Sequence, residues 1–166
     1  VMLHGMTGTS DKMLPLANKL VPDGWEILCP EAIIPHPTRG GFAWWLRDEF
    51  NDPSGPSNPL DEKSMKQAKD SVKRVIKEMP EGPLIVGGFS QGGAIASLML
   101  EHSIQDRIVG LVLIGTKTIN PDGLISAVSK IWPRPVVWMH GEKDHLVPFS
   151  VGEEPVSYTH LRAHET

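Results

Sequence analysis

Apolar and polar positions follow two periods along this chain. From Asp61 to Met79 the apolar residues Met65, Ala68, Val72, Val75, Ile76 and Met79 recur at spacings of three and four, as on a helix with one buried face. Asp61 and Glu62 open this stretch, lysines follow, and Pro80 closes it, which suits the helix dipole and its ends. Short continuous apolar runs at Val1–His4, Trp25–Cys29, Leu84–Gly88, Ile108–Ile114 and Val136–His140 read as strands. Between them, Asp11–Leu20, Gln91–Glu101 and Pro121–Lys130 read as helices. Ser10 or Asp11 is the expected cap of the first, and Pro15 is tolerated there as a residue near the first turn.

Nearly continuous apolar strands separated by helices predict a mostly parallel sheet buried on both faces, an open, doubly wound α/β fold. The Pro- and Gly-rich stretch from Pro30 to Pro59 is too long for a simple connection and is expected to serve function. No internal repeat or low-complexity segment interrupts the pattern.

Composition narrows the function classes. The 166 residues suffice for one domain with a proper core, at 40% apolar and 22% charged residues. A net charge of −4, with no block of lysines or arginines, argues against nucleic acid as a partner. No run reaches the roughly 18 apolar residues of a membrane span. Cys29 is the single cysteine, which excludes an internal disulfide and favours a reducing, cytoplasmic compartment. The chain opens with Val1 already inside an apolar run, and a cut N-terminus is expected.

The chemistry concentrates in three places. Gly88-Phe89-Ser90-Gln91-Gly92 matches G-x-S-x-G, in which a sharp strand-to-helix turn lifts a serine above the sheet edge. The three fixed positions recur by chance in roughly one chain in twenty of this size. The apolar strand before them and the small-residue helix after them favour a nucleophile. His4-Gly5-Met6-Thr7-Gly8 is a second glycine-rich turn at a strand end, and acyl transfer needs two N–H donors for its oxyanion. The backbone N–H groups of Met6 and Gln91 are the candidates, while His4 reads as a structural hydrogen-bonding residue. In "VVWMHGEKDHLVP", Asp144 follows a strand by a short turn, as a triad acid does; a plain turn carboxylate is the alternative. His140 and His145 lack a third partner for a metal, and neither metal nor cofactor is expected.

The segments "LHGMTG", "GGFAWW", "GGFSQGGAIA" and "HGEKDHLVP" resemble, in this order, the carboxylesterase/phospholipase family of α/β-hydrolases that includes acyl-protein thioesterases. The resemblance runs from Val1 to about Val151. It implies cofactor-free hydrolysis of a small-molecule ester or thioester, with Ser90 as nucleophile, Asp144 as acid, and Met6 and Gln91 as oxyanion donors. Trp44 and Trp45 would then line the acyl-binding wall, although core packing explains such a pair equally well. The spacing between Ile33 and Asn58 departs from the family pattern, so acyl-chain preference does not carry over. A lipase, peptidase or dienelactone-type hydrolase, and a non-catalytic hydrolase-like binding module, stay as alternatives.

The base is the open element. Family order is Ser, Asp, then His, with a helix and strand between the last two. These need roughly 24 residues, and 22 follow Asp144. His145 is adjacent to Asp144, and His160 and His164 lie in "VSYTHLRAHET", which follows Pro155 without helical period. That string is similar to adaptor-like ends of unrelated assembled sequences. The domain is therefore expected to span 1–155, with 156–166 a non-native or disordered tail. The C-terminal helix, strand and catalytic histidine are expected to be missing, and low esterase activity is expected of this chain itself. The alternative is His164 acting as base on a shortened last strand.

Overall fold

The computed structural model describes residues 1–47, 59–131, 134–145, 147 and 149. In chain order the elements are β1 (Met2–Leu3), α1 (Ser10–Leu20), β2 (Ile34–Pro35), β3 (Phe42–Ala43), α2 (Glu62–Glu78), β4 (Leu84–Phe89), α3 (Gln91–Met99), a 3-10 turn (Ser103–Arg107), β5 (Ile108–Ile114), α4 (Pro121–Ile131) and β6 (Val136–Met139). Four strands form one parallel sheet in the order β1-β4-β5-β6, and β2 pairs antiparallel with β3 as a separate hairpin. Helices cover both faces of the sheet, as the near-continuous apolar strands require. Leu3, Leu84, Val86, Leu111 and Leu113 share the main core with residues of α2, α3 and α4. Met2 points the other way, into a smaller cluster with Met13 and Ala17 of α1.

Long periodic segments form the expected elements, and their ends shift by at most two residues. The helix expected over Asp61–Met79 spans Glu62–Glu78, with the Asp61 carboxylate capping it by accepting from Ser64 N–H. The α1 cap is Thr9, neither Ser10 nor Asp11. Thr9 Oγ1 accepts from Lys12 N–H, while the Ser10 hydroxyl is drawn off to donate to the Cys29 carbonyl at 2.8 Å. Pro15 lies beyond the first turn, on the exposed side of α1. Trp25–Cys29 is not a strand. Leu28 O accepts one bond from Met2 N–H at 2.9 Å, and a two-residue β1 has little further edge to offer. The long Pro30–Pro59 stretch contains the β2–β3 hairpin, and its residues 48–58 lie outside the described residues. So does the proposed 156–166 tail.

The hairpin continues into a buried loop whose backbone needs partners. One side of α2 supplies them. Ser64 Oγ donates to Leu46 O (2.7 Å), Gln67 Oε1 accepts from Leu46 N–H (2.9 Å), and Ser71 Oγ donates to Trp44 O (2.7 Å). Ser64, Gln67 and Ser71 form a polar stripe beside the apolar one, so α2 both packs the core and satisfies the loop. His4 does a similar job at the end of β1. Its Nε2 accepts from Ala32 N–H (3.1 Å), which leaves Nδ1–H to donate to Gly5 O (2.7 Å). Burial disfavours the imidazolium and lowers the His4 pKa.

Two outcomes follow. Ser71→Ala strands the buried Trp44 carbonyl and is expected to cost about 1–3 kcal/mol, read from the guanidinium unfolding midpoint at unchanged slope. Because the folded His4 pKa lies below its unfolded value, the unfolded chain takes up the proton first as pH falls. The His4 contribution is therefore complete above the ordinary histidine pKa and is lost as pH drops through it toward the lower folded value. Urea midpoints from pH 8 to 5 should fall more steeply for the parent than for His4→Gln.

Candidate active site

At the carboxyl end of β4 the chain turns into α3 with no intervening loop. The turn residue, Ser90, has φ 52° and ψ −120°, a strained conformation for a non-glycine residue. Three glycines create the space. A methyl group on Gly88 would come within 2.7 Å of Gly93 N, and one on Gly93 would meet the Thr116 side chain at 2.6 Å. One on Gly92 would overlap the Leu3 carbonyl and lie 2.7 Å from His4 O. The first turn of α3 thus rests directly on the backbone at the end of β1.

The strained serine is held by its own backbone. Ser90 N–H donates to Ile114 O (2.9 Å), and Ser90 O accepts from the Thr116 hydroxyl (2.7 Å). Gly93 and Ala94 N–H also turn to Ser90 O. A serine ahead of a helix ordinarily caps it with its hydroxyl. Ser90 makes no such bond, and the residue stays half-exposed. Gln91, the first residue of α3, has a backbone N–H with no acceptor inside its own helix.

The turn after β1 lies alongside. A methyl on Gly5 would approach Ser90 Cβ to 3.3 Å. Gly8 N–H closes this turn onto Gly5 O (2.9 Å), and Thr7, at φ 65°, donates its N–H to Phe42 O (2.9 Å). Met6 stands between these bonded neighbours, and its side chain is exposed.

Trp44 and Trp45 are 0% and 5% exposed and belong to the main core. The Trp44 indole N–H donates to His4 O at 2.7 Å. Both indoles lie in the core, as the packing alternative left open in the sequence has it.

Asp144 follows β6 in a turn closed by its own N–H to Gly141 O (3.0 Å), and Oδ1 accepts from Val147 N–H (2.9 Å). A methyl on Gly115 would lie 3.2 Å from the Phe89 ring and 3.8 Å from Asp144 Oδ2. The acid's loop therefore reaches the end of β5, next to the strand that delivers Ser90. The buried His140 ring bonds Val147 O through Nε2 (2.7 Å) and stands 3.9 Å from Asp144 Oδ2, too far for a hydrogen bond. His145 is exposed beside the turn, and His160 and His164 lie outside the described residues. Among the described residues no group of three or more His, Cys, Asp or Glu could hold a metal, and no helix is long and apolar enough to cross a membrane.

Nothing in the sequence pointed to the Gln91 side chain or to Thr116 as supports of this turn. Gln91 Oε1 accepts from Trp44 N–H (3.1 Å), and its Nε2 donates to Trp45 O (3.0 Å). The one available hint was the paired glycine of "GGFAWW". A side chain on Gly41, at φ 67°, would overlap the Thr7 carbonyl.

Comparison with known proteins agrees with this architecture. The family model described as phospholipase/carboxylesterase matches residues 1–163. An acyl-protein thioesterase 1 of Cryptococcus neoformans is 28% identical over 169 aligned residues, covering 95% of this chain and 71% of that protein. The crystal structure of esterase PE8 superposes with a TM-score of 0.70 at 18% identity, over 95% of this chain and 74% of that one. That of a Bacillus cereus carboxylesterase gives 0.63 at 18% identity, over 96% and 73%. With its parallel sheet, its strained serine between β4 and α3, and a family match along nearly its whole length, the chain belongs to the phospholipase/carboxylesterase family of α/β-hydrolases.

Proposed function

We propose that the site hydrolyses carboxylic esters or thioesters through an acyl-enzyme on Ser90. The observation that carries this reading is a strained, half-exposed serine whose hydroxyl does not cap the helix behind it. Nothing in the local backbone needs that hydroxyl, so it is available for chemistry.

In this mechanism Ser90 Oγ attacks the acyl carbon while a histidine takes its proton. The carbonyl oxygen becomes an oxyanion held by the N–H groups of Met6 and Gln91, the latter aided by the positive end of α3. Collapse breaks the bond to the leaving alkoxide or thiolate, which receives the proton from the imidazolium. Water then adds to the acyl-enzyme by the same route and releases the acid. Asp144 fixes the histidine tautomer and stabilises its charged form. His4 is ruled out as base because both ring nitrogens are committed. The base in this reading is a histidine from the part of the protein that follows Asp144. The thioesterase and carboxylesterase names of the relatives support an ester or thioester carbonyl as the target, and the exposed Met6 side chain offers an apolar contact for the acyl group.

Measured with p-nitrophenyl butyrate on the protein carrying that histidine, Ser90→Ala is expected to lower kcat by about 10⁴-fold or more and to abolish fluorophosphonate labelling. Parent-like turnover in that variant would exclude the acyl-enzyme. Asp144→Asn is expected to lower kcat by about 10⁴-fold with KM little changed, since the histidine then adopts the wrong tautomer. A loss confined to KM would instead make Asp144 a binding group.

A further inference from the structure

The two proposed oxyanion donors belong to separate turns, Met6 after β1 and Gln91 after β4. Their spacing must be fixed to a fraction of an ångström if both N–H groups are to reach one oxygen. One short segment touches both turns. Phe42 O accepts from Thr7 N–H (2.9 Å) and Phe42 N–H donates to Gly8 O (3.1 Å), which grips the chain just after Met6. The Trp44 indole N–H donates to His4 O (2.7 Å), which grips it just before Met6. On the other side, the Gln91 carboxamide binds Trp44 N–H and Trp45 O as a two-point clamp at 3.1 and 3.0 Å. Ser71 of α2 holds Trp44 O from outside, and Gln67 binds Leu46 N–H just past the segment.

The geometry points to Phe42–Trp45 as a strap that sets the gap between the two donors, with the Gln91 side chain as the positioning residue that couples the strap to the nucleophile turn. Gln91 then has two separate jobs. Its backbone N–H faces the oxyanion, and its carboxamide, which touches no reacting atom, holds that N–H in register with Met6. The left-handed Thr7 fits the same picture, because its N–H bond to Phe42 O and the adjoining Phe42 N–H bond to Gly8 O keep a threonine in a conformation that it would otherwise leave. A glutamate of the same length keeps an acceptor for Trp44 N–H but sets a second oxygen against Trp45 O. A methionine keeps the length and loses both bonds.

This inference rests on the oxyanion reading above, and the experiment separates the two. Gln91→Glu, Gln91→Met, Ser90→Ala and Val72→Ala are compared with the parent on p-nitrophenyl butyrate and on an alkyl trifluoromethyl ketone, which mimics the tetrahedral intermediate. Val72→Ala is a core truncation that controls for lost stability. Gln91→Met is expected to lower kcat by about 10-fold to 100-fold with KM within about twofold, and to weaken the ketone in proportion to kcat/KM. Gln91→Glu should lose less than Gln91→Met if the surviving Trp44 bond still aligns the N–H, and Val72→Ala should keep kcat below its unfolding transition. Parent-like kcat and ketone affinity in Gln91→Met would overturn the strap while leaving the acyl-enzyme intact. An equal loss in Val72→Ala would reduce the clamp to ordinary stability. Parent-like hydrolysis by Ser90→Ala would overturn the acyl-enzyme, and the strap with it.

Discussion

The structure depends on one close approach, the first turn of α3 seated on the backbone of Leu3 and His4. Side chains ordinarily keep a helix several ångströms from a neighbouring strand. Here Gly88, Gly92 and Gly93 remove them where β4 turns into α3, and any added methyl group would collide with backbone or with Thr116. That contact brings the end of β1 and the start of α3 together, and with them the two glycine-rich turns. It also leaves Ser90 little choice of conformation. The strain at φ 52° persists because hydrogen bonds to Ile114, Gly93, Ala94 and Thr116 over-determine it.

Around this contact the polar groups are almost all committed to holding backbone. His4 bridges Gly5 and Ala32, Trp44 reaches back to His4, and Ser64, Gln67 and Ser71 of α2 satisfy the loop after the hairpin. In a buried loop these bonds avoid the cost of desolvated carbonyls and amides, and they also leave the loop a single arrangement. The site is therefore supported by elements distant in sequence, α2 and the hairpin as well as the strand and helix that flank Ser90. Asp144 arrives by a separate route, in a turn fixed by Gly141 and Val147, and reaches the end of β5 at Gly115, beside the strand that leads into Ser90.

The periodic patterns determined the architecture before any contact was known. Continuous apolar strands and the stripe on α2 specified a parallel sheet with helices, because burial of both faces is a one-dimensional requirement legible in residue order. The glycines about Ser90 were equally legible, since only a backbone collision explains three of them around one serine. Trp25–Cys29 misled, because an apolar run encodes burial, and a strand also needs an edge to pair with; β1 supplies one bond. The α1 cap shifted to Thr9 because Ser10 found a better acceptor in Cys29, nineteen residues away.

Tertiary structure alone decided what Gln91, Thr116 and the tryptophan pair do. Their partners lie 26 to 47 residues distant, and hydrogen bonds at that range leave no periodicity or spacing to read. The sequence by itself thus determined where the glycine-rich turns lie and which faces are buried. The folded chain settled how those turns are held to one another, because that depends on backbone atoms common to every residue, whose meeting only packing in three dimensions arranges.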